Sequence, residues 1–256
     1  MLKKTMRAAA RIRRCVNTGQ EEREVTMMLH IPQVLSQEEA ADIRRLLEQS
    51  LDWVDGRETV GVQGAQVKRN QQLADDCELK ARLGQRITSA LKQNPLFFAA
   101  ALPLRIIPPR FNRYAGGETY GMHVDGSVMQ YTDVNGQEQT LRSDLSCTVF
   151  FAEPEDYEGG ELVVADTYGE HLVKLPAGDA ILYPSSSLHE VRPVTKGARL
   201  ASFLWIQSMV RSESQRRALF EMDTSITRLR ETGADNAAVL QLTGVYHNLL
   251  RDWSDT

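Results

Sequence analysis

The chain has 256 residues, of which 42% are hydrophobic and 25% are charged. This balance is typical of a globular protein and excludes wholesale disorder and a collagen-like fibre. The longest nearly apolar stretch, residues 96–104, is far shorter than the roughly 20 residues that a membrane-spanning helix requires. The formal net charge of −4 is not that of a general nucleic-acid binder, so we expect neither a membrane nor a nucleic acid as a partner.

Three cysteines, Cys15, Cys77 and Cys147, are spread along the chain. They are too few and too scattered for a disulfide framework or a structural zinc site. This cysteine usage fits a reducing compartment, and the predicted location is therefore the cytoplasm.

The first fourteen residues concentrate positive charge and contain no acidic residue. No apolar segment follows them, so this stretch is not a secretory signal. It is either a transit peptide, an arm that binds nucleic acid, or a poorly ordered extension, which is the interpretation we favour. An upstream start codon would give the same pattern, since the orderly sequence begins at Met27 and Met28. We therefore expect residues 1–26 to form a basic extension outside the fold. Its cationic residues are Lys3, Lys4, Arg7, Arg11, Arg13 and Arg14.

The segment after Met28 predicts a short strand and a helix. Residues 29–35 read as a strand followed by a loop. Ser36 and Glu39 form a capping box, in which each side chain can satisfy a backbone N–H of the first helical turn. The apolar residues that follow recur at helical spacing and predict a helix over 37–49.

Further helices are predicted before and after the middle of the chain. Apolar residues at helical spacing predict one helix over 77–92, and Asn94-Pro95 ends it. Helical spacing returns in 212–256, where Gly233 separates two helices. Both helices of this C-terminal region are candidates for a homodimer contact.

The amino-acid composition of the segment 104–211 differs from that of the segments before and after it. Short runs rich in β-branched and aromatic residues alternate there with Gly, Pro and Asp, which is typical of a sandwich or jelly roll. The predicted fold class is α+β: a jelly-roll (double-stranded β-helix) core over 104–211, supporting helices in 27–103 and a C-terminal helical region over 212–256. The candidate strands are 104–107, 110–115, 119–124, 144–151, 160–166, 170–175, 179–183, 188–194 and 198–208.

The most suggestive motif is His123-Val124-Asp125, at the end of a candidate strand. Residues two apart on a strand project to the same face, so one imidazole and one carboxylate point at one spot. This pattern is common by chance and needs a second histidine from a facing strand. His189 fits, because the 64 residues between it and Asp125 allow several strands to bring it opposite. Two histidines and one carboxylate leave the other metal positions open, as in non-haem Fe(II) oxygenases, whereas structural zinc sites are closed.

The other three histidines are poorer candidates for a metal site. His30 precedes the first predicted helix, His171 lies in a polar turn, and His247 is on a C-terminal helix. We expect each of them to be a surface or packing histidine.

Arg199 lies ten residues after His189, in an apolar strand. The turn-like link 194–197 predicts that the two residues lie on adjacent antiparallel strands. A guanidinium in such a strand is costly unless it is paired, and its planar fork of donors matches a carboxylate. Arg199 therefore either binds an anionic ligand or forms an internal salt bridge with Asp or Glu. Tyr114, nine residues before the histidine motif, either supplies a hydroxyl to the same ligand or is a core aromatic residue.

With these residues identified, the chain resembles the Fe(II)/2-oxoglutarate dioxygenases of the prolyl-4-hydroxylase type. Within them it is most similar to the bacterial PKHD-type hydroxylases associated with iron uptake. The resemblance covers residues 28–256 and is specific, because several motifs occur in order at compatible spacings. The motifs are FNRY (111–114), YGMHVD (120–125), SDLS (143–146), YEGGEL (157–162), LPAGD (175–179), HEV (189–191), GAR (197–199), WIQSMVR (205–211) and LTGVYHNLL (242–250).

The resemblance implies a ligand set and a reaction. It implies that His123, Asp125 and His189 bind Fe²⁺, that Arg199 binds the distal carboxylate of 2-oxoglutarate, and that Tyr114 contacts the same cosubstrate. It further implies that O₂ and 2-oxoglutarate are consumed, that succinate and CO₂ form, and that a substrate C–H bond is hydroxylated. L-Ascorbate is expected as a reductant by the same analogy.

Two features of this sequence differ from the family that it resembles. Ala201 stands where some branches have a hydroxyl residue, which leaves Arg199 as the chief cosubstrate anchor. The loop 126–142, with the hairpin signal Asn135-Gly136 at its middle, is longer than the branch requires. This hairpin is either a lid over the site or a plain surface feature.

Two alternatives to the hydroxylase stay open. A cupin-like metalloenzyme would share the jelly roll and the three metal ligands but would need no Arg199 anchor. A non-catalytic sensor of iron or a ketoacid would bind its ligand without turnover. The substrate, a small molecule or a peptide, does not follow from the fold, and a link to iron uptake rests on the resemblance.

Overall fold

The computed structural model describes residues 28–59, 62–133 and 136–255. The predicted basic extension 1–26, including Cys15, and Asn135 of the predicted hairpin turn lie outside the described residues. No helix within the described ranges is both long enough and apolar enough to cross a membrane.

Helices stand before and after a β-rich middle, as the sequence pattern predicts. The capping box forms, since Ser36 Oγ accepts from Glu39 N at 3.1 Å and the Glu39 carboxylate accepts from Ser36 N at 2.8 Å. The described helices are α1 (Gln37–Gln49), α2 (Val62–Val67), α3 (Glu78–Gln93), α4 (Pro95–Ala101), α5 (Glu213–Glu231) and α6 (Asn236–Trp253).

The strands cover most of the predicted runs and add several short ones. They are β1 (Leu29–Ile31), β2 (Trp53–Asp55), β3 (Lys68–Arg69), β4 (Gln71–Leu73), β5 (Pro103–Ile106), β6 (Arg110–Ala115), β7 (Thr119–His123), β8 (Val128–Thr132), β9 (Glu138–Arg142), β10 (Leu145–Phe150), β11 (Tyr157–Gly159), β12 (Leu162–Asp166), β13 (Gly169–Val173), β14 (Ala180–Pro184), β15 (Leu188–Val191) and β16 (Val194–Ser208).

Two antiparallel sheets form the jelly roll. The larger sheet has the order β1-β14-β10-β16-β6-β4-β2, with β11 and β5 also pairing along β16. The smaller sheet has the order β13-β12-β15-β7-β3, and β8 with β9 forms a separate hairpin. The order interleaves strands that are distant in sequence, as expected for a jelly roll rather than a meander. The α+β class and the jelly-roll core are confirmed.

Apolar side chains fill both faces of the larger sheet. Between the sheets, residues such as Phe150 and Ile181 from the larger sheet meet Leu162 and Val164 from the smaller one. On the other face, α1, α3 and α4 pack on the sheet; Ile43, Leu47, Leu83, Ile87, Leu91 and Phe97 of these helices are fully buried there. The N-terminal helices thus hold the larger sheet rigid from behind and leave the space between the sheets for the site.

One prediction about the chain path was confirmed and one was wrong. Asn94 ends α3 as predicted, and it also caps α4, a helix that the sequence analysis did not predict: its Oδ1 accepts from Phe97 N at 3.0 Å and Pro95 opens α4. The segment 194–197 is not a turn but the start of β16, so Arg199 and His189 lie in different sheets. Glycine at position 197 is required by close packing and not by a turn. A Cβ there would lie 2.1 Å from Asp156 O, at the point where β11 approaches β16.

Leu182→Ala tests the core. Leu182 is fully buried on β14, so truncation removes apolar contacts and leaves a cavity. We expect the free energy of unfolding to fall by about 2–5 kcal/mol, measured by denaturant unfolding. The matched control Leu240→Ala, at a position that is 73% exposed on α6, should change it by less than about 0.5 kcal/mol. Equal stabilities of the two variants would contradict the placement of Leu182.

Candidate metal centre and cosubstrate site

Strand pairing brings the three candidate metal ligands together. His189 on β15 is the direct cross-strand neighbour of His123 on β7, in the same sheet rather than on a facing strand. Asp125 lies two residues beyond His123, just past the end of β7. One ligand atom from each residue lies within 4.8 Å of the other two, a group that could hold a metal ion.

The backbone orients both imidazole rings in the same way. His123 Nδ1 lies 2.8 Å from Gly121 O, and His189 Nδ1 lies 2.9 Å from Ser187 O. A carbonyl oxygen only accepts hydrogen bonds, so Nδ1 carries the proton in each ring and Nε2 keeps its lone pair. Those Nε2 atoms lie 4.0 Å and 3.8 Å from the two carboxylate oxygens of Asp125. The three donors therefore face one point, with the tautomer that a metal requires.

Hydroxyl groups fix the third ligand. Ser146 Oγ donates to Asp125 Oδ2 at 2.7 Å, and Ser185 Oγ lies 2.8 Å from Ser146 Oγ. Ser146 and Ser185 are both buried, on β10 and just after β14 of the larger sheet. The chain of hydroxyls therefore ties a carboxylate at the end of the smaller sheet to the larger one.

Electrostatics favour the metal-binding form of His123. Burial, followed by the neighbouring His189, lowers the pKa of His123 to about 4. The ring is therefore neutral near pH 7 and offers an unprotonated nitrogen. Tyr120 stacks on the same ring, with centroids 3.6 Å apart and planes 17° apart, which limits its rotation. Two imidazoles and one carboxylate suit Fe²⁺.

The other described histidines lie outside this centre. His30 Nε2 pairs with Asp179 Oδ2 at 2.7 Å, and His171 Nε2 pairs with Asp166 Oδ2 at 2.9 Å. The ring of His247 contacts that of Tyr246 on α6. These contacts agree with the expectation that the three histidines have surface or packing roles.

Arg199 is buried between the sheets and has no carboxylate partner among the described residues. It is 1% exposed, its Nε has no hydrogen-bond partner, and one terminal nitrogen lies 3.5 Å from Asn112 Oδ1. The internal salt bridge considered as an alternative is therefore not formed. A buried guanidinium with donors to spare fits an anionic ligand such as the distal carboxylate of 2-oxoglutarate.

Two tyrosines flank Arg199. Tyr114 pairs with it across β6 and β16, and the ring centroid of Tyr114 is 5.5 Å from the guanidinium carbon. Tyr114 is 1% exposed and packs in the core between the sheets, yet it also lines the cavity of the site. Tyr157, which the sequence analysis did not single out, has a buried hydroxyl with no hydrogen-bond partner. Burial raises the pKa of Tyr157, and the charge of Arg199 opposes this shift.

One cavity of about 790 Å³ lies at this site. The three candidate metal ligands and Arg199 line it, together with Lys68, which is 2% exposed. The sequence analysis did not single out Lys68, because a single lysine in a polar segment does not indicate burial.

The hairpin β8–β9 forms part of the cavity wall. Met129, Gln130 and Tyr131 of β8 line the cavity. The last paired residues of β8 and β9 are Thr132 and Glu138, so the loop between the strands is longer than a two-residue Asn-Gly turn. The hairpin is thus more than a plain surface feature, and whether it opens and closes stays a prediction.

Comparison with known proteins assigns the family. Residues 109–207 match the model of the 2OG-Fe(II) oxygenase superfamily, and residues 213–255 match that of the PKHD-type hydroxylase C-terminal domain. A PKHD-type hydroxylase of Stenotrophomonas maltophilia (strain R551-3) is 65% identical over 229 residues, which cover 90% of this chain and 100% of the relative. The chain belongs to the PKHD-type hydroxylases. Another member, from Janthinobacterium sp. (strain Marseille), is 60% identical over 228 residues, covering 89% and 99%.

Solved structures agree on the fold of this PKHD-type hydroxylase. A prolyl hydroxylase from Trichoplax adhaerens, in complex with a peptide fragment of the hypoxia inducible factor oxygen degradation domain, aligns with a TM-score of 0.52. The alignment has 17% identity and covers 85% of this chain and 94% of that chain. The predicted enzyme class, an Fe(II)/2-oxoglutarate-dependent hydroxylase, is confirmed by the family, which uses Fe²⁺ and 2-oxoglutarate.

Ser146→Ala tests the support of the metal centre. The variant removes the hydrogen bond to Asp125 Oδ2 and leaves that carboxylate free to rotate. We expect the Kd for Mn²⁺, an Fe²⁺ substitute that is stable in air, to rise about 10- to 100-fold in calorimetric titrations. The control Ser225→Ala, on the exposed side of α5, should leave the Kd unchanged. An unchanged Kd in Ser146→Ala would mean that the hydroxyl does not support the site.

Proposed function

We propose that this PKHD-type hydroxylase binds Fe²⁺ through His123, Asp125 and His189 and anchors 2-oxoglutarate on Arg199, to hydroxylate an organic substrate. The observation that supports it best is the convergence of the three ligand side chains in one cavity with a buried guanidinium that has donors to spare. When bound, iron and 2-oxoglutarate supply the oxidising chemistry: O₂, 2-oxoglutarate and R–H give succinate, CO₂ and R–OH.

The protein itself positions the metal ligands and the cosubstrate, and it excludes water from the site. The carbonyls of Gly121 and Ser187 hold the two imidazole rings, and Ser146 holds Asp125. Arg199 lies between the sheets, away from bulk water, so an ion pair formed there is stronger than at the surface. The apolar wall around it shields the reacting groups until a substrate covers the open side.

We further propose that Tyr157 supplies the second contact to the cosubstrate carboxylate that Ala201 cannot make. Its hydroxyl is buried without a partner, and its strand pairs with β16 at Gly197, so its side chain shares a face with Arg199 two residues on. Tyr114, on the other side of Arg199, is proposed to contact the same ligand. Both phenols are neutral near pH 7 and can donate, because burial raises the pKa of each.

Succinate formation tests the reaction. The protein is loaded with Fe²⁺ and 2-oxoglutarate without oxygen, O₂ is admitted, and succinate is measured together with any product that gains one oxygen atom. We expect iron-dependent succinate, and at least a 100-fold loss of kcat/KM for 2-oxoglutarate in Arg199→Ala, because a charge-assisted bidentate contact disappears. Tyr157→Phe should raise KM about 5- to 20-fold with kcat little changed, the cost of one hydrogen bond.

The same assay separates the alternatives. Turnover that survives in Arg199→Ala would favour the cupin-like enzyme. Binding of 2-oxoglutarate without succinate, across a panel of candidate substrates, would favour the sensor. Lys92→Met, an exposed position on α3, is the control for non-specific effects of removing a charge.

The biological setting is proposed from the family and from the composition. We infer a small-molecule or peptide substrate, a role linked to iron uptake, L-ascorbate as a reductant, and a cytoplasmic location. The free thiols Cys77 and Cys147 support a reducing compartment. The proposed division is 1–26, 27–103, 104–211 and 212–256; the family matches to 109–207 and 213–255 support its last boundary.

We also propose that two copies associate through α6. Its side chains Leu242 and Val245 share one side of the helix and are 38% and 42% exposed, although α6 also packs on α5. An apolar face of this kind favours a second copy of the same helix, since a two-fold contact matches a surface to itself. Light scattering should give a dimer that Val245→Lys dissociates; a monomeric wild-type protein would exclude it.

A further inference from the structure

Hydrogen bonds at both ends of the hairpin β8–β9 fix which backbone groups its strands share. Ser143 N donates to Ser127 O at 3.0 Å, and Asp133 N donates to Gln137 O at 2.9 Å. Each bond joins residues that stand directly opposite each other when the register of the two strands is continued by one residue. Both are therefore hydrogen-bonded pairs, and in an antiparallel ladder such pairs alternate with pairs that share no hydrogen bond.

This alternation divides the residues of β8 into two sets. Met129 and Tyr131 belong to hydrogen-bonded pairs, so their N–H and C=O groups point towards β9. Val128, Gln130 and Thr132 belong to the other pairs, so their N–H and C=O groups point away from β9. We call these three residues the outer edge of β8. All three are exposed, and their backbone groups make no hydrogen bond to any residue of the described ranges.

The opposite edge of the hairpin is anchored to the larger sheet. Arg142 N donates to Gln207 Oε1 at 3.4 Å, and Thr140 O accepts from Arg105 Nη1 at 3.2 Å. Both of these β9 groups point away from β8, as the alternation requires. The hairpin is thus held to β5 and β16 through β9, and β8 is its open side.

The outer edge of β8 borders the active-site cavity. Met129, Gln130 and Tyr131 line the cavity together with the three candidate metal ligands. Val128 follows Asp125 by three residues, so their Cα atoms are at most about 11 Å apart. A second chain that paired with this edge would therefore lie beside the metal centre.

The amino acids of β8 do not protect this edge. Exposed strand edges usually carry charged residues or proline, which discourage pairing with another chain. β8 has the sequence VMQYT, without proline and without an acidic, basic or imidazole side chain. The outermost strands of the two sheets differ, because each carries at least one such side chain. These are His30 on β1, Asp55 on β2, Lys68 and Arg69 on β3, and Glu170 on β13. The composition of β8 thus favours pairing with a further strand.

Apolar side chains lie around the mouth of the same cavity. Met122, Val124 and Leu188 line the cavity and are exposed. Each of them is a chain neighbour of a candidate metal ligand, so they flank the metal centre. A bound molecule with apolar groups would remove these side chains from water, which favours binding. The edge of β8 offers hydrogen bonds and the mouth offers apolar contacts, and an uncharged peptide in an extended conformation can use both.

We propose that the outer edge of β8 binds the substrate as an added strand, and that the substrate is an extended peptide segment with uncharged, apolar side chains. The proposal rests on the proposed function, since it assigns the substrate of that same cavity. Backbone groups of the peptide pair with Val128, Gln130 and Thr132. Alternate side chains of the peptide then point into the cavity, where one of them faces the metal, and its neighbours contact the apolar mouth.

A peptide library tests the substrate class. Pooled synthetic hexapeptides, acetylated and amidated at their ends and built from uncharged amino acids, are added to the protein loaded with Zn²⁺ and saturated with 2-oxoglutarate. Zn²⁺ replaces Fe²⁺ because it has no redox chemistry. Retained peptides are identified by mass spectrometry, and calorimetry gives the Kd of the tightest one.

Single amino acids of the retained peptide, capped in the same way, are the small-molecule control. We expect each of them to bind at least about tenfold more weakly than the peptide, because they lose several backbone hydrogen bonds. Equal binding of the capped amino acid and the peptide would overturn the proposal in favour of a small-molecule substrate, and retention of no peptide would also overturn it.

Amide hydrogen exchange, followed by NMR, tests the pairing itself. On saturation with the retained peptide, the amides of Val128, Gln130 and Thr132 should exchange at least about tenfold more slowly, because they acquire hydrogen-bond partners. The amides of Met129 and Tyr131, which already point towards β9, are the internal control and should change by less than about twofold. Equal protection of both sets, or of neither, would overturn the pairing with β8.

Gln130→Pro tests the same edge by affinity. The variant removes an N–H that points away from β9, so it spares the ladder of the hairpin, and the Kd of the peptide should rise about 5- to 20-fold. Gln130→Ala keeps that N–H and should bind the peptide within about threefold of the wild-type protein. N-methylation of the peptide should weaken binding at every second residue only, a result that does not depend on the folding of any variant. Weakening without this alternation would contradict strand addition.

These measurements also separate the inference from the function on which it rests. Binding of 2-oxoglutarate to the Zn²⁺-loaded protein is measured first. Absence of that binding would count against the proposed function and the peptide edge together. Normal 2-oxoglutarate binding without a preference for peptides over capped amino acids would count against the peptide edge alone.

Discussion

The register between β7 and β15 is the constraint on which the active site depends. It places His189 directly beside His123, and Asp125, two residues beyond His123, offers its carboxylate at the same point. Because side chains alternate between the faces of a strand, a shift of one residue in this register would turn His189 away from the cavity. The supporting hydrogen bonds to Gly121 O and Ser187 O would be lost with it.

The second feature of the site is charge held away from water. Arg199 and Lys68 are almost fully buried, on opposite sheets and facing one cavity. Such charges lower stability unless a ligand or a partner offsets the loss of hydration. Helices pack on the outer face of the larger sheet, and this apolar packing offsets the loss of stability. In the proposed function, the distal carboxylate of 2-oxoglutarate offsets the charge of Arg199.

Local patterns predicted most elements, and the failures share a cause. The capping box at Ser36 and the C-terminal helices around Gly233 formed as expected, because their signals lie within a few residues. The turn expected at 194–197 did not form, because Gly197 serves a close approach by β11 that is distant in sequence. The helix α4 was missed because its almost entirely apolar sequence has no periodic pattern.

The residues of the candidate site also fall into two groups: those that local sequence reveals and those that only the folded chain reveals. The motif around His123, the second histidine at His189 and the misplaced charge of Arg199 were all visible in the amino-acid order, because unusual residue types in apolar strands stand out. The orphaned hydroxyl of Tyr157, the support of Asp125 by Ser146 and the burial of Lys68 emerged only from the folded chain. Each of these depends on contacts between segments far apart in sequence, and sheet pairing alone decides which of them meet.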